Sequence, residues 1–107
     1  MAPNHRDLAV LDLADQVADE VNQLIDRASG RLIHASQLRD AGQSIGANIS
    51  EGFGRGTGRD RSRALTVARG EAEEAIRHLR ANARSDRLPE ATFWRLRNRL
   101  ITIVKIE

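Results

Sequence analysis

Hydrophobic residues recur every three or four positions along most of this chain, which is the spacing of one face of an α-helix rather than of a strand. Breaks that contain glycine or proline divide the pattern into four segments. The sequence therefore predicts four helices and no sheet, at about residues 7–28, 36–51, 59–83 and from 89 onward. The predicted inner faces consist of Leu11, Ala14, Ala18, Val21, Ile25 and Ala28; Leu38, Ala41, Ile45, Asn48, Ile49 and Gly52; Leu65, Ala68, Ala72, Ala75, Ile76, Leu79 and Ala83; and Phe93, Leu96, Leu100 and Val104.

Residues at the ends of these segments predict where the helices begin and end. Asn4 is suited to cap the first helix, and Gly30 is suited to end it. The four glycines of residues 52–58 allow positive φ, so the second helix is predicted to stop there. Thr57 followed three positions later by Asp60 is typical of a capping box at the start of the third helix.

Short connections join the four predicted helices, and Pro89 suits the first turn of the last one. Connections of this length favour antiparallel neighbours. The predicted fold class is therefore an all-α, antiparallel up-down-up-down four-helix bundle, formed by a single domain that spans residues 1–107.

Seven hydrophobic residues lie outside these inner faces: Leu8, Leu13, Val17, Trp94, Ile101, Ile103 and Ile106. They indicate either an inner face wider than the one drawn or a second packing surface, above all on the fourth helix. A chain of 107 residues buries only about two thirds of its unfolded surface when it folds, so association adds buried area that a single copy lacks. We therefore expect a homo-oligomer.

Composition excludes several classes of chemistry. The chain has no cysteine, so it has no disulfide, no thiolate zinc site and no cysteine nucleophile, and a cytoplasmic protein is expected. It shows neither a signal-peptide pattern nor a run of about 20 apolar residues, so no membrane partner is expected. The net charge is only +2, but residues 1–26 carry one arginine and six acidic residues, which leaves the positive charge to the rest of the chain.

A cluster of arginines lies at the break before the third helix. Arg55, Arg59, Arg61 and Arg63 are opposed there only by Asp60. Backbone N–H groups and the positive end of the helix dipole add to the attraction of such a place for phosphate. With three aromatic residues in the chain, contact with a nucleic-acid backbone is favoured over base readout. These arginines are the predicted nucleic-acid-binding residues; the alternative is a solvated basic turn with salt bridges between subunits.

Two further motifs lack the spacing that their chemistry needs. The glycine-rich residues 52–58 are not followed by the Gly-Lys-Ser or Gly-Lys-Thr of a phosphate-binding loop. His5, His34 and His78 are scattered among the segments, without the spacing of metal ligands. We therefore predict no metal site and no cofactor.

The acidic and polar residues of the two central helices favour structural roles. The carboxylates of Glu71, Glu73 and Glu74 are more simply explained by salt bridges along the helix than by a di-iron site; the arginines placed for those salt bridges are Arg69, Arg77 and Arg80. Asn48 is interpreted as a buried residue that sets the helix register, near Ser44 and Glu51. Glu51 is interpreted as the partner of an arginine or of a helix-end N–H group. No pair of nucleophile and base is evident, so no catalytic residue is predicted and no enzyme activity is expected.

Residues 36–55 read Ser-Gln-Leu-Arg-Asp-Ala-Gly-Gln-Ser-Ile-Gly-Ala-Asn-Ile-Ser-Glu-Gly-Phe-Gly-Arg. This segment resembles the central motif of the four-helix bundle proteins that are encoded by intervening sequences within bacterial large-subunit ribosomal RNA genes. Residues 68–74, Ala-Arg-Gly-Glu-Ala-Glu-Glu, are similar to that family's third helix. The chain departs from the family pattern at Gly46, where proline is usual, and at Asp40, which is often basic.

The resemblance implies a four-helix protomer that assembles into a ring-like homopentamer and has no enzyme activity. The accessory proteins of diversity-generating retroelements, which are distantly similar, share the bundle and the pentamer and bind nucleic acid and a reverse transcriptase. The resemblance therefore implies an oligomeric protein that binds structured RNA or DNA. Two alternatives stay open: a structural or protein-interaction scaffold with no nucleic-acid ligand, and an enzyme that acts on nucleic acid.

Overall fold

Four α-helices make up the computed structural model of this protein, which describes residues 5–55 and 58–106. The helices are α1 (His5–Ala28), α2 (Ala35–Arg55), α3 (Gly58–Arg84) and α4 (Glu90–Val104). No strand occurs in the described part of the chain. The predicted all-α class with four helices is therefore confirmed.

Each helix packs against two others. α2 lies between α1 and α3, and α4 contacts both α3 and α1. Glu20 of α1 forms salt bridges with Arg95 and Arg99 of α4, which join the first and last helices. The molecule measures 44 × 21 × 19 Å. Its long dimension follows from α3, whose 27 residues extend about 40 Å at a rise of ~1.5 Å each.

The core contains most of the predicted inner faces, although the predicted residues Leu11, Ile25 and Ala83 are only partly buried and pack against it. Val17 and Ile103, which the prediction placed outside these faces, are fully buried, whereas Ala18 and Val104 are only partly buried. In each helix the buried residue is one position before the predicted one. Steps of three and four are both compatible with one helical face, so spacing alone did not decide between the two neighbours.

The additional hydrophobic residues of α4 and of the segment after it belong mostly to this core. Ile103 is fully buried, and Ile101 and Ile106 pack against the core from partly buried positions. The wider inner face is therefore the correct interpretation for these three residues, while Leu8 and Trp94 are exposed.

The second helix does not stop at Gly52 as predicted, but continues to Arg55. A Cβ atom at Gly52 would lie 3.2 Å from Ala64 Cβ and 3.4 Å from the Arg61 carbonyl oxygen, so glycine allows α2 and α3 to approach closely. Phe53 then enters the core from the last turn of α2. Burial of this ring in helical register outweighs the low helix propensity of the glycines beside it.

The connections between helices agree with the predictions where the structure describes them. Gly30 follows α1 with a φ of +85°, as expected for a residue that ends a helix. Pro89 is the N-cap residue of α4 and lies one position before the first turn where it was predicted. The predicted capping residues Asn4 and Thr57 lie outside the described residues.

Within residues 5–54 and 58–106, the fully buried polar side chain is that of Asn82 rather than Asn48. Asn82 is fully buried, and its side-chain oxygen accepts a hydrogen bond from the Ile33 N–H group at 2.8 Å. Its side-chain nitrogen donates to the carbonyl groups of Ile33 at 3.0 Å and His78 at 2.8 Å. These hydrogen bonds of Asn82 therefore hold the connection between α1 and α2 against α3. Asn48 is only half-buried and donates to the backbone carbonyl and the hydroxyl of Ser44.

Candidate functional site

The first turns of α3 hold three of the four predicted nucleic-acid-binding arginines. Arg59 and Arg63 are both exposed, and their separation of four residues places them on one face of the helix. Arg61, two residues from each, is half-buried and lies on a different face. Arg55 is the last residue of α2, and its side chain lies outside the described residues.

Arg61 contacts residues of the two neighbouring helices. Its Nη2 atom lies 3.4 Å from Asp7 Oδ1 of α1, and its guanidinium group lies 4.9 Å from the centre of the Phe53 ring of α2. A guanidinium over an aromatic face is an attractive cation–π geometry. Arg61 thus joins the start of α3 to α1 and α2, which is a structural role. The structure brings Arg59 and Arg63 together on one surface and separates Arg61 from them.

The surface beside Arg63 carries charges of both signs. Arg63 lines a cleft of about 280 Å³ between α2 and α3 together with Asn48, Glu51, Asp60 and Val67. The two carboxylates reduce the positive potential that the arginines create there. Such a surface can hold a phosphate backbone at its exposed arginines. It offers no aromatic side chain on which a base could stack.

A second arginine cluster, which the sequence did not predict, lies at the other end of α3. Arg31, Arg80, Arg84 and Arg87 line a cleft of about 760 Å³ that also contains Trp94. These residues come from the connection between α1 and α2, the last turns of α3, the next connection and α4. Arg31 lies 49 positions before Arg80 in the sequence, so the sequence does not show that it joins the arginines at the end of α3. The fold assembles them.

The structure brings two of the three histidines together, which the sequence did not predict. The rings of His34 and His78 are 5.3 Å apart, and His78 Nε2 lies 3.5 Å from Glu74 Oε1. Burial raises the pKa of the Glu71 carboxyl, and the neighbouring Glu74 carboxylate raises this pKa further by its charge and a side-chain hydrogen bond. Within the described residues, however, no group of three or more potential ligands is placed to hold a metal ion.

The predicted salt bridges along α3 are wrong. Among the residues that the structure describes, no salt bridge joins Glu71, Glu73 or Glu74 to the arginines predicted as their partners. Arg69 instead donates to the carbonyl group of Ile106 at 2.7 Å and to the Thr66 hydroxyl at 3.0 Å. It therefore connects α3 to the end of α4, and this partner is too distant in the sequence for helical spacing to indicate it.

None of the described helices is long and apolar enough to span a lipid bilayer.

Comparisons with known proteins agree with the four-helix architecture. The chain matches the family model described as 23S rRNA-intervening sequence protein over residues 6–106. It is also similar to a crystal structure, at 1.70 Å resolution, of a protein of unknown function from the S23 ribosomal protein family of Bacteroides thetaiotaomicron. The two chains share 24% sequence identity and a TM-score of 0.85, over 92% of this chain and 91% of the other, which concerns the fold alone. No curated protein matches the chain.

Proposed function

Because the chain belongs to the 23S rRNA-intervening sequence protein family, we propose that it is a non-enzymatic, self-associating protein that binds structured RNA or other nucleic acid. The observation that carries this proposal is the exposed pair Arg59 and Arg63 on one face of the first turns of α3. Arg55, at the end of the preceding helix, is the proposed third contact. Arg61 supports the same surface as a positioning residue through Asp7 and Phe53.

The chemistry of this surface favours the phosphate backbone as its target. Guanidinium groups are planar, always charged and able to donate two hydrogen bonds to one phosphate. The start of a helix adds the positive end of its dipole. The Phe53 ring, which lies under Arg61, is buried. Binding therefore depends on charge and shape more than on base identity.

The proposal includes the up-down-up-down order of the helices and their assembly into a ring, with five copies favoured. Short connections and the packing of each helix against two others support the order. Leu8 is 49% exposed, so a large hydrophobic side chain on α1 is available for contact with another copy. Leu8 is therefore the proposed interface residue, whereas the exposed Val67 lines the cleft with Arg63 and belongs to the proposed nucleic-acid surface.

The test is fluorescence anisotropy of a labelled structured RNA, with duplex DNA as comparator, in a series of salt concentrations. Binding to phosphates releases counterions, so affinity should fall linearly with the logarithm of the salt concentration. The double variant Arg59→Gln with Arg63→Gln should weaken binding and reduce the slope by roughly 0.9 for each lost phosphate contact on duplex DNA. The matched control is Arg27→Gln with Arg77→Gln, which removes two exposed arginines from other places.

Each outcome has a definite meaning. Equal losses in the two double variants would show that only total charge matters and would reject the proposed surface. Dissociation of the oligomer in the Arg59 and Arg63 variant would assign these residues to contacts between copies. No binding to either polymer by the assembled wild-type protein at low salt would favour the alternative, a scaffold with a protein partner.

A further inference from the structure

A cleft at the end of the bundle, where α3 is followed by α4, has the size of a small-molecule site. Its volume is about 760 Å³, within the range of roughly 300–1,000 Å³ that is usual for ligand pockets. Arg63 and Arg80 are 17 positions apart on α3, so the Arg59 surface and the cleft are separated by at least about 25 Å along this helix. The two places are independent in structure.

Positive charge dominates the wall of this cleft. Four arginines line it against two carboxylates, those of Asp86 and Glu90; the arginines are Arg31, Arg80, Arg84 and Arg87. Among the described residues, none of these four guanidinium groups forms a salt bridge. Like charges gathered on a concave surface repel one another and raise the local concentration of anions. An anion with several oxygens, such as a phosphate, would satisfy these donors.

The only tryptophan of the chain lines the same cleft. Trp94 is 46% exposed, although tryptophan side chains are highly buried on average. Its indole N–H donates to Glu90 Oε1 at 3.4 Å, and its ring meets that of the buried Phe93 edge to face at 5.2 Å. The Arg97 guanidinium lies 5.5 Å from the centre of the indole ring. These contacts hold the ring in place at the mouth of an arginine-lined cleft.

We propose that this cleft binds a nucleotide, with its base stacked on Trp94 and its phosphate held by Arg84 and Arg87. The combination of a positioned, half-exposed aromatic ring with guanidinium groups that form no salt bridge within the described residues matches the two parts of that ligand. The nucleotide is either free or an unpaired residue of a single-stranded RNA. This inference goes beyond the proposed function, because it uses different residues and predicts contact with the base.

Tryptophan fluorescence is the signal used in the test. The protein has one tryptophan and no tyrosine, so its tryptophan fluorescence reports on Trp94 alone. We expect adenosine monophosphate to change this fluorescence saturably at low salt, with calorimetry as an independent measure of affinity. Inorganic phosphate and adenosine should each bind at least about tenfold more weakly than adenosine monophosphate, because each lacks one of the two contacts. Single-stranded oligoadenylate RNA is the second arm: a response only to the oligonucleotide would assign the site to RNA strands.

Two double variants distinguish specific binding in the cleft from nonspecific attraction of an anion to a positively charged protein. Arg84→Gln with Arg87→Gln should lower the affinity for adenosine monophosphate by roughly tenfold. The control Arg6→Gln with Lys105→Gln removes the same charge at exposed positions outside the cleft and should change it less than about twofold. Trp94→Ala, followed by calorimetry, should weaken binding by a similar factor to the cleft variant. Circular dichroism checks that each variant folds.

Three results would overturn the inference. The first is the absence of any saturable response of the wild-type protein to adenosine monophosphate and to the oligonucleotide. The second is an equal loss of affinity in the cleft variant and the control. The third is binding of polyglutamate at the cleft as tight as that of the oligonucleotide, which would assign it to an acidic peptide. The RNA titrations with the Arg59 and Arg63 variant are separate, so either proposal can fail alone.

Discussion

Asn82 shows at the scale of a single residue how one buried side chain organises a connection between helices. Its amide group makes three hydrogen bonds, two of them with the backbone N–H and carbonyl groups of Ile33. Ile33 lies between α1 and α2, so its backbone groups are outside the hydrogen-bond pattern of either helix. A buried backbone group that loses its partner costs roughly 1–3 kcal/mol. Asn82 is therefore required to keep the connection between α1 and α2 in place.

We expect Asn82→Ala to lower the free energy of unfolding by roughly 2–4 kcal/mol, since it leaves both Ile33 groups unpaired and opens a small cavity. Asn48→Ala is the matched control and should cost less than about 1 kcal/mol, because Asn48 is half-buried and bonds only within its own helix turn. Denaturant unfolding at one fixed protein concentration measures both. Equal costs for the two variants would contradict the role of Asn82.

Asn82 and Asn48 also show that the sequence alone does not predict which of two asparagines is buried. Both asparagines lie at positions that helical spacing allows on an inner face, and Asn48 was the one predicted to be buried. The choice depends on whether a neighbouring segment presents unpaired backbone groups, as Ile33 does to Asn82. Such a partner is 49 positions away along the chain and becomes visible only after folding.

At the scale of the element, the packing of α2 against α3 explains why two glycines in long helices have different roles. Gly52 lies where a Cβ atom would be 3.2 Å from Ala64 Cβ and 3.4 Å from a backbone oxygen of α3. Gly70, in the middle of α3, is exposed, and nothing lies within 4 Å of the position of its Cβ. The first glycine is needed for close packing, whereas no contact within the described residues requires the second.

We therefore expect opposite effects from the same substitution. Gly70→Ala should raise the free energy of unfolding by roughly 0.5–1 kcal/mol, because alanine is the better helix former. Gly52→Ala should lower it by roughly 1–3 kcal/mol, because the added methyl group forces α2 and α3 apart. Thermal and denaturant unfolding of the two variants provide the measurement, and a gain in stability from Gly52→Ala would reject the close-packing argument.

The ends of α2 and α3 also show what periodicity can and cannot predict about an element. Four glycines within seven residues indicated a break, and the structure places the end of α2 at Arg55 instead of before Gly52. Local propensity favours the earlier end, but burial of Phe53 and the contact of Gly52 with α3 favour the later one. Tertiary packing thus extended the helix by a turn.

At the scale of the whole molecule, the proposed ring is tested by mass. Light scattering should give a value near five times the chain mass of 11.9 kDa. Leu8→Glu should dissociate the assembly, because a charge at this exposed hydrophobic position opposes its burial between copies. A monomeric wild-type protein at micromolar concentration would refute self-association, and a stable dimer would refute the ring.

Helical spacing, the absence of cysteine and the motif of residues 36–55 determined the class of fold, the number of helices, most of the core and the family. These properties depend on local order along the chain, so a sequence can express them directly. The tertiary structure alone decided that Arg61 packs between helices while Arg59 and Arg63 remain exposed. It alone placed Arg31 and Arg84 beside Trp94, because proximity between distant segments is created by packing and leaves no periodic signal in the sequence.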